Sequence, residues 1–411
     1  MNVALGAPER LLVRTVPVAG PVDLLARLPH PAPLAWVRHG EGIVGWGEAA
    51  RITVPGGEDR FAWARRRLES WFGFAEVHDP LGIPGSGPVA FGSFGFDPQG
   101  SDSVMIIPRV VLGCRDGQAW YTTIGDAPDP LSLMRPLTEP TAVGWSDGTL
   151  TSEQWAGAVG AAVARIQEGR LGKVVLARDL RAEATEPIDA RVLLLRLAER
   201  FPACYTFAVD GLVGATPELL VRREGDRIDS LVLAGTTPRS ADEAEDEARG
   251  AALFASGKDR EEHAYAAQMV LAAFRALCSQ VEVEDEPELL RLANVQHLAT
   301  PVHGRLAADR SVLDVLAALH PTPAVCGTPT EVAMDLIREL EVMDRGRYAG
   351  PVGWVDARGD GEWGIALRCA EIEGSRARLF AGCGIVADSV PAAELAESRT
   401  KFQVMREALE G

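Results

Sequence analysis

No apolar run in this 411-residue chain reaches the ~18 residues that a membrane span needs, and its start, MNVALGAPERLLVRTV, lacks the basic stretch and apolar core of a leader. Positive charge is scarce as well. Lys and Arg number 41 against 58 Asp and Glu, a net charge of −17, which excludes the basic surface that nucleic acid or an anionic membrane would need. Cys114, Cys204, Cys278, Cys326, Cys369 and Cys383 stand far apart with no CxxC pair. Neither a zinc site nor a disulfide framework is indicated, and the thiols fit a reducing, cytoplasmic setting. Aromatic residues make up only 6%, which speaks against the stacking platforms of a sugar-cleaving enzyme. There is no internal repeat and no low-complexity linker.

What is present is organised as consecutive groups of strands. Residues 1–150 mix short apolar runs with Gly/Pro turns, as in GIVGWGEAARITV, PVAFGSFGFDP and SVMIIPRVVLGC. This reads as β-rich, loop-rich material. A helix is predicted over TSEQWAGAVGAAVARIQEG, with Thr151 or Ser152 as its cap and Gly169 at its end. A strand over 173–180, a helix over 189–201 and a meander of strands follow. Further on, 257–280 and 331–341 read as helices, 351–357, 362–373 and 376–386 as strands, and a last helix opens near Pro391. Strands grouped in this way argue for a mixed α/β chain of the α+β type, largely antiparallel, over a doubly wound sheet. A weak boundary near 148–151 separates residues 1–150, expected to belong to the same folding unit, from 151–411, where every catalytic-looking residue lies.

The stretch GKVVLARDL places a lysine inside a strand. Alternation puts Lys173 on one face with Val175 and Ala177. On this stretch alone two readings stand: an ammonium that snorkels from the strand's mouth to water, or a desolvated lysine available as a general base. Two helices add carboxylates. In SGKDREEHAYAAQMVLAAF, Ser256 and Asp259 have capping-box spacing, and the apolar stripe Ala266, Val270, Ala273 extends back to Glu262. In PAAELAESRTKFQVM, Glu394, Glu397 and Lys401 share one face, which reads either as a solvated ion-paired turn or as part of a metal site. Inward glutamates on separate helices suit Mg²⁺ completed by water and an anionic substrate. Paired carboxylates also allow a glycosidase. A ligand-binding protein without catalysis would be expected to lack Lys173, Glu218 or a metal glutamate.

Eight motifs, in order GKVVLAR, TPELLV, LAGTTPR, KDREEH, NVQHLATPVHG, LHPTPAVCGTP, GIALRCAEI and AGCGIVADS, together with ExxESxxK, carry a resemblance over 150–411. They resemble the chorismate-utilising enzymes that share the anthranilate synthase large-subunit fold. Residues 1–150 match loosely, mainly in FGSFGFD. The resemblance implies two large antiparallel sheets packed as a sandwich with flanking helices, with the site between them. It further implies that Lys173 activates water for attack at C2 of chorismate and that Glu218 protonates the departing C4 hydroxyl. Glu262 and Glu397 resemble Mg²⁺ ligands. Tyr348 and Arg368 resemble the residues that grip the enolpyruvyl carboxylate, and Gly382 and Gly384 let backbone N–H groups approach. Gly235, Thr236, His297, Glu394 and Lys401 resemble further site-lining residues.

Aminating relatives typically place glutamine where Lys173 stands, or a lysine where Ala234 stands, so water is the expected nucleophile. Ala324 in HPTPAVCG resembles the isochorismate-forming members, with the salicylate-forming members as the alternative. Chorismate is the expected partner, with no glutaminase subunit, and a monomer is expected. Menaquinone and siderophore or salicylate pathways stay open. Ser398 departs from the family's usual threonine. Outside the site, His263 is expected to bond within helix packing, His303 and His320 to lie in loops or caps, and Cys326 and Cys383 to fill apolar space. Trp354 and Trp363 are expected to pack the sandwich.

Overall fold

The computed structural model of the chain describes residues 11–100, 103–127, 135–284, 286–292 and 295–411. Among these, strands gather into one sheet of 13 and one of 10. Neighbours are antiparallel except Leu11–Val18 and Ala75–His78, which run parallel, in keeping with a largely antiparallel chain. Strands from before residue 150 extend both sheets. Leu34–Arg38 pairs with Tyr205–Val209 in the larger, and Val89–Ser93 with Pro351–Asp356 in the smaller. The main apolar cluster draws on both sheets, including Trp36, Phe91, Phe207, Trp354 and Trp363. A second lies under the helices Ala190–Arg200 and Pro391–Glu410, with Leu193, Leu197, Phe402 and Leu409.

The strand that opens with Lys173 runs to Glu183, longer than the sequence pattern suggested. From Val174 to Glu183 one edge pairs with Arg376–Ile385. The other edge has no single neighbour, and a buried strand cannot leave its amides unbonded. Gly327–Thr328 pairs its first residues and Gly144–Asp147 its last. Between them Val175 N–H donates to the Cys326 carbonyl at 2.8 Å. Side chains complete the edge: Arg345 donates to the Val175 carbonyl (2.7 Å), Glu341 accepts from Ala177 N–H (2.7 Å), and the Trp155 indole donates to the Ala177 carbonyl (3.0 Å). Trp155 is delivered by the helix Ser152–Gln167, whose Thr151–Gln154 capping box fixes its start.

The expected strand 362–373 is two strands in different sheets. Gly361–Ile365 belongs to the smaller and Cys369–Glu373 to the larger, so the chain crosses between them at 366–368. Leu212–Thr216 and Leu219–Glu224 make the same crossing at Pro217 and Glu218. The crossings lie side by side, since Gly214 opposes Cys369 and Leu219 opposes Gly364.

Of the helices, those over Ser152–Gln167, Ala190–Arg200, Gly257–Leu277, Thr330–Glu341 and Pro391–Glu410 fall where the sequence placed them. Arg60–Phe72, Glu243–Ala255 and Val312–Leu319 are additional. The last is eight nearly unbroken apolar residues, five of them buried, so it offers no period to read. His303 corrects another expectation, because it sits within the strand Val295–Leu306 and bonds Asp229 at 2.5 Å.

Gly353 faces Trp363 in the smaller sheet, where an added Cβ would meet the Glu362 carbonyl oxygen at 2.0 Å and the Trp363 Cα at 2.8 Å. Backbone cannot yield as a side chain can, so Gly353→Ala is predicted to lower stability by about 3 kcal/mol. A urea titration giving the wild-type midpoint would contradict this register.

Candidate active site

The adjacent crossings each carry an ionisable side chain. Glu218 lies at one, 8% exposed. Burial pushes its carboxyl up to about 7, while the Lys173 ammonium pulls the other way. Arg368 lies at the other with a left-handed φ of +47°, a conformation that costs a non-glycine residue roughly 1–3 kcal/mol. Burial lowers its guanidinium pKa, and it makes no ion pair among the described residues. Lys173 is half-buried at the head of its strand.

Across from them, Thr236 and His297 face each other on neighbouring strands, with Oγ1 and Nδ1 2.9 Å apart. The strand is bulged at Gly235, whose φ of +73° glycine tolerates. Burial, then the charges of Arg368 and Lys401, push the His297 imidazole down to about 4, so it is neutral at physiological pH. Its Nε2 is buried without a hydrogen-bond partner among the described residues.

A cavity of about 90 Å³ is lined by Val175, Ala324, Tyr348, Arg368, Gly382 and Lys401, among others. Sites that bury a whole ligand measure roughly 300–1,000 Å³, so this cavity fits one end of a substrate. Tyr348 stacks on Phe380 at 5.0 Å, and burial raises its pKa, keeping a neutral hydroxyl. A Cβ at Gly382 would stand 3.0 Å from that hydroxyl. Gly384 sits opposite Val175. A larger cavity of about 570 Å³ lies away from these residues, and its charges are mutually matched, as in Arg115–Glu362 (2.7 Å) and Arg222–Glu362 (3.2 Å).

On the last helix, Lys401 donates to the Gly382 carbonyl (2.8 Å) and lies 2.5 Å from Glu397. Glu394 accepts from Ser389 Oγ at 2.8 Å. Glu394, Glu397 and Cys383 bring ligand atoms within 4.8 Å of one another. Burial works to raise the Glu397 pKa, but Lys401 outweighs it and holds the carboxyl below its usual range. Burial pushes the Cys383 thiol up to about 12, so it stays protonated. Two carboxylates and no thiolate form a hard-oxygen set, which fits Mg²⁺ and not a soft metal. The side chain of Glu262 lies outside the described residues, although its helix, Gly257–Leu277, is placed.

The sequence reading missed two residues at this site. Glu341 and Arg345, one turn apart, form a buried ion pair beside the cavity, and their only signal was the i,i+4 spacing of opposite charges. Away from the reacting groups, His263 reaches beyond its own helix to the strands, bonding the Ala234 carbonyl (3.3 Å) and Thr300 (2.7 Å), and His320 caps a helix as expected, with its Nε2 donating to the Phe96 carbonyl (3.0 Å).

Fold and site together define a two-sheet enzyme with a buried carboxyl near a lysine and, lining a recess, a guanidinium that makes no ion pair among the described residues. Residues 134–410 match the family model described as chorismate binding enzyme. The chain is 36% identical over 405 residues to isochorismate synthase MenF of Bacillus subtilis (strain 168), covering 90% of this chain and 85% of that one. It is 45% identical over 270 residues to isochorismate synthase DhbC of the same organism, covering 62% and 68%. Among solved structures, MenF, the menaquinone-specific isochorismate synthase from Escherichia coli, superposes with a TM-score of 0.81 at 26% identity, over 97% of this chain and 94% of that one. The chain belongs to the chorismate-binding enzymes.

The Glu218 shift has a thermodynamic sign. Its folded pKa of about 7 exceeds the ordinary 4.5, so the folded protein keeps a proton that the unfolded chain releases between those values. The associated stability is complete below pH 4.5 and is lost as pH rises through 7. Relative to wild type, Glu218→Gln is predicted to gain roughly 2–3 kcal/mol between pH 5 and pH 8. Urea unfolding of both proteins at the two pH values measures it, and parallel pH dependence would refute the burial argument.

Proposed function

We propose that the chain converts chorismate to isochorismate, adding water at C2 and losing the C4 hydroxyl. The observation that carries the reading is a carboxyl of pKa about 7 at one sheet crossing, within the field of Lys173 and beside the crossing that bears the buried Arg368. Allylic substitution by water needs a base on one side of the ring and an acid on the other, with environments that separate their roles. Lys173 takes the proton of the attacking water. Glu218, half protonated near pH 7, delivers a proton to the departing hydroxyl, and one water enters as another leaves.

Arg368 and the Tyr348 hydroxyl hold the enolpyruvyl carboxylate, a guanidinium being suited to two parallel hydrogen bonds. The buried Nε2 of His297 meets a polar group of the ring substituents. Glu397, with Glu394 beside it and Glu262 from the helix Gly257–Leu277, would hold Mg²⁺, which when bound would neutralise the ring carboxylate and fix its orientation.

With chorismate and Mg²⁺ at pH 7.5, the protein is predicted to accumulate isochorismate without stoichiometric pyruvate, and Lys173→Ala or Glu218→Gln to cut kcat by ~10² or more. Chromatography of the ring product with lactate-dehydrogenase detection of pyruvate reads both. Pyruvate released in step with chorismate consumption would instead assign a salicylate-forming enzyme, and full turnover in either variant would remove the acid and base roles.

Glu397→Gln removes a charged oxygen from a site with few protein ligands, so it should raise the half-saturating Mg²⁺ concentration at least ~10-fold, with incomplete rescue by excess ion. Superimposable Mg²⁺ titrations of variant and wild type would place the ion elsewhere.

A further inference from the structure

The Glu341–Arg345 pair stands where three walls of the site meet. Glu341 ends the helix Thr330–Glu341, and the chain turns back through Val342, whose φ is +55°, to bring Arg345 against it. Arg345 Nε donates to Glu341 Oε2 (2.9 Å) and one terminal nitrogen to Oε1 (2.5 Å). That same nitrogen donates to the Val175 carbonyl (2.7 Å), two residues along the strand from Lys173. The other terminal nitrogen donates to the Val325 carbonyl (2.9 Å), next to Ala324. Glu341 in turn accepts from Ala177 N–H (2.7 Å), and Tyr348 N–H donates to the Arg345 carbonyl (3.1 Å). The guanidinium lies 4.2 Å from the centre of the Phe96 ring.

Arg345 lines the cavity but is badly placed to bind a substrate carboxylate. Four of its five N–H bonds are committed, and Glu341 matches its charge at 1% exposure. Its geometry instead fixes distances between neighbours. A lysine could keep the charge but has no planar fork with which to span a carboxylate and two carbonyls.

We propose that Glu341–Arg345 is a positioning pair that sets the spacing between the strand bearing Lys173, the loop bearing Ala324 and the turn bearing Tyr348, and so governs both turnover and product fidelity. This rests on the isochorismate-forming reading above. Fidelity enters because a bound isochorismate can pass its C2 hydrogen to the enolpyruvyl methylene as the C3–O bond breaks, giving salicylate and pyruvate with all atoms accounted for. The Ala324 wall limits which ring conformers arise, and Arg345 holds the carbonyl next to it.

A second buried pair provides the control. Asp189 and Arg191 are each 3% exposed, and Arg191 likewise donates to two carbonyls, of Arg135 (2.9 Å) and Pro136 (3.1 Å), but none of these residues lines the site cavity. Arg345→Lys should lower kcat at least ~10-fold with KM changed less than ~3-fold, since a misplaced base loses rate more than binding, and should raise pyruvate released per chorismate consumed at least ~5-fold. Arg191→Lys should lower the melting temperature while leaving kcat, KM and the pyruvate ratio at wild-type values. Glu341→Gln, which keeps shape and one acceptor, should reproduce the Arg345→Lys pattern more mildly and serves if Arg345→Lys does not fold. Wild-type kcat and product ratio in a folded Arg345→Lys or Glu341→Gln variant, or equal catalytic losses in Arg191→Lys, would overturn the proposal. Wild-type protein that forms no isochorismate would instead overturn the reading beneath it.

Discussion

Two sheets sharing one chain require places where backbone leaves one ladder and joins the other, and those places must still satisfy their amides. Here two crossings solve the problem together. Ala215 N–H donates to the Arg368 carbonyl (3.2 Å) and Ile365 N–H to the Glu218 carbonyl (3.2 Å), so each crossing bonds the other. Gly364 belongs to this arrangement, because a Cβ there would stand 2.6 Å from the Glu218 carbonyl. A carboxyl and a guanidinium are thereby held on rigid, mutually bonded backbone, without reliance on a mobile loop.

Charge is distributed around that junction so that most cations are already answered. Glu341 matches Arg345, and Glu397 lies against Lys401, whereas Arg368 makes no ion pair among the described residues and feels Glu397 only through space. A buried guanidinium without an anion in contact is unfavourable, and its charge adds to burial in lowering the His297 pKa. An anionic substrate relieves both conditions at once, which ties affinity to a deficit that the protein carries when the site is empty.

Sequence patterns revealed much of this and missed specific parts for physical reasons. Caps at Thr151 and Ser256 were legible because they act through neighbours three residues away. The burial of Trp354 and Trp363 followed from their place in short apolar strands. The sheet crossing at 366–368 was not legible, since Ala-Leu-Arg continues an extended apolar pattern and only the backbone at Arg368 breaks it. Helix Glu243–Ala255 was hidden by its acidic first turn, which reads as solvated loop until the strands it covers are known. The roles of Glu341 and Arg345 depend on carbonyls far off in sequence, and no local window contains Val175 and Val325 together.

The interleaving of early and late segments also bears on synthesis. Val89–Ser93 has one neighbour close in sequence, Ser103–Ile107, but its other edge must wait for Pro351–Asp356. Leu34–Arg38 likewise waits for Tyr205–Val209. A chain emerging from the ribosome at some 5–20 residues per second therefore carries bare, apolar strand edges for many seconds before their partners exist. Such long-range pairing slows folding and invites association between nascent chains. The continuity that lets residues far apart in sequence build one rigid site thus makes the unfinished polypeptide a natural client for chaperones.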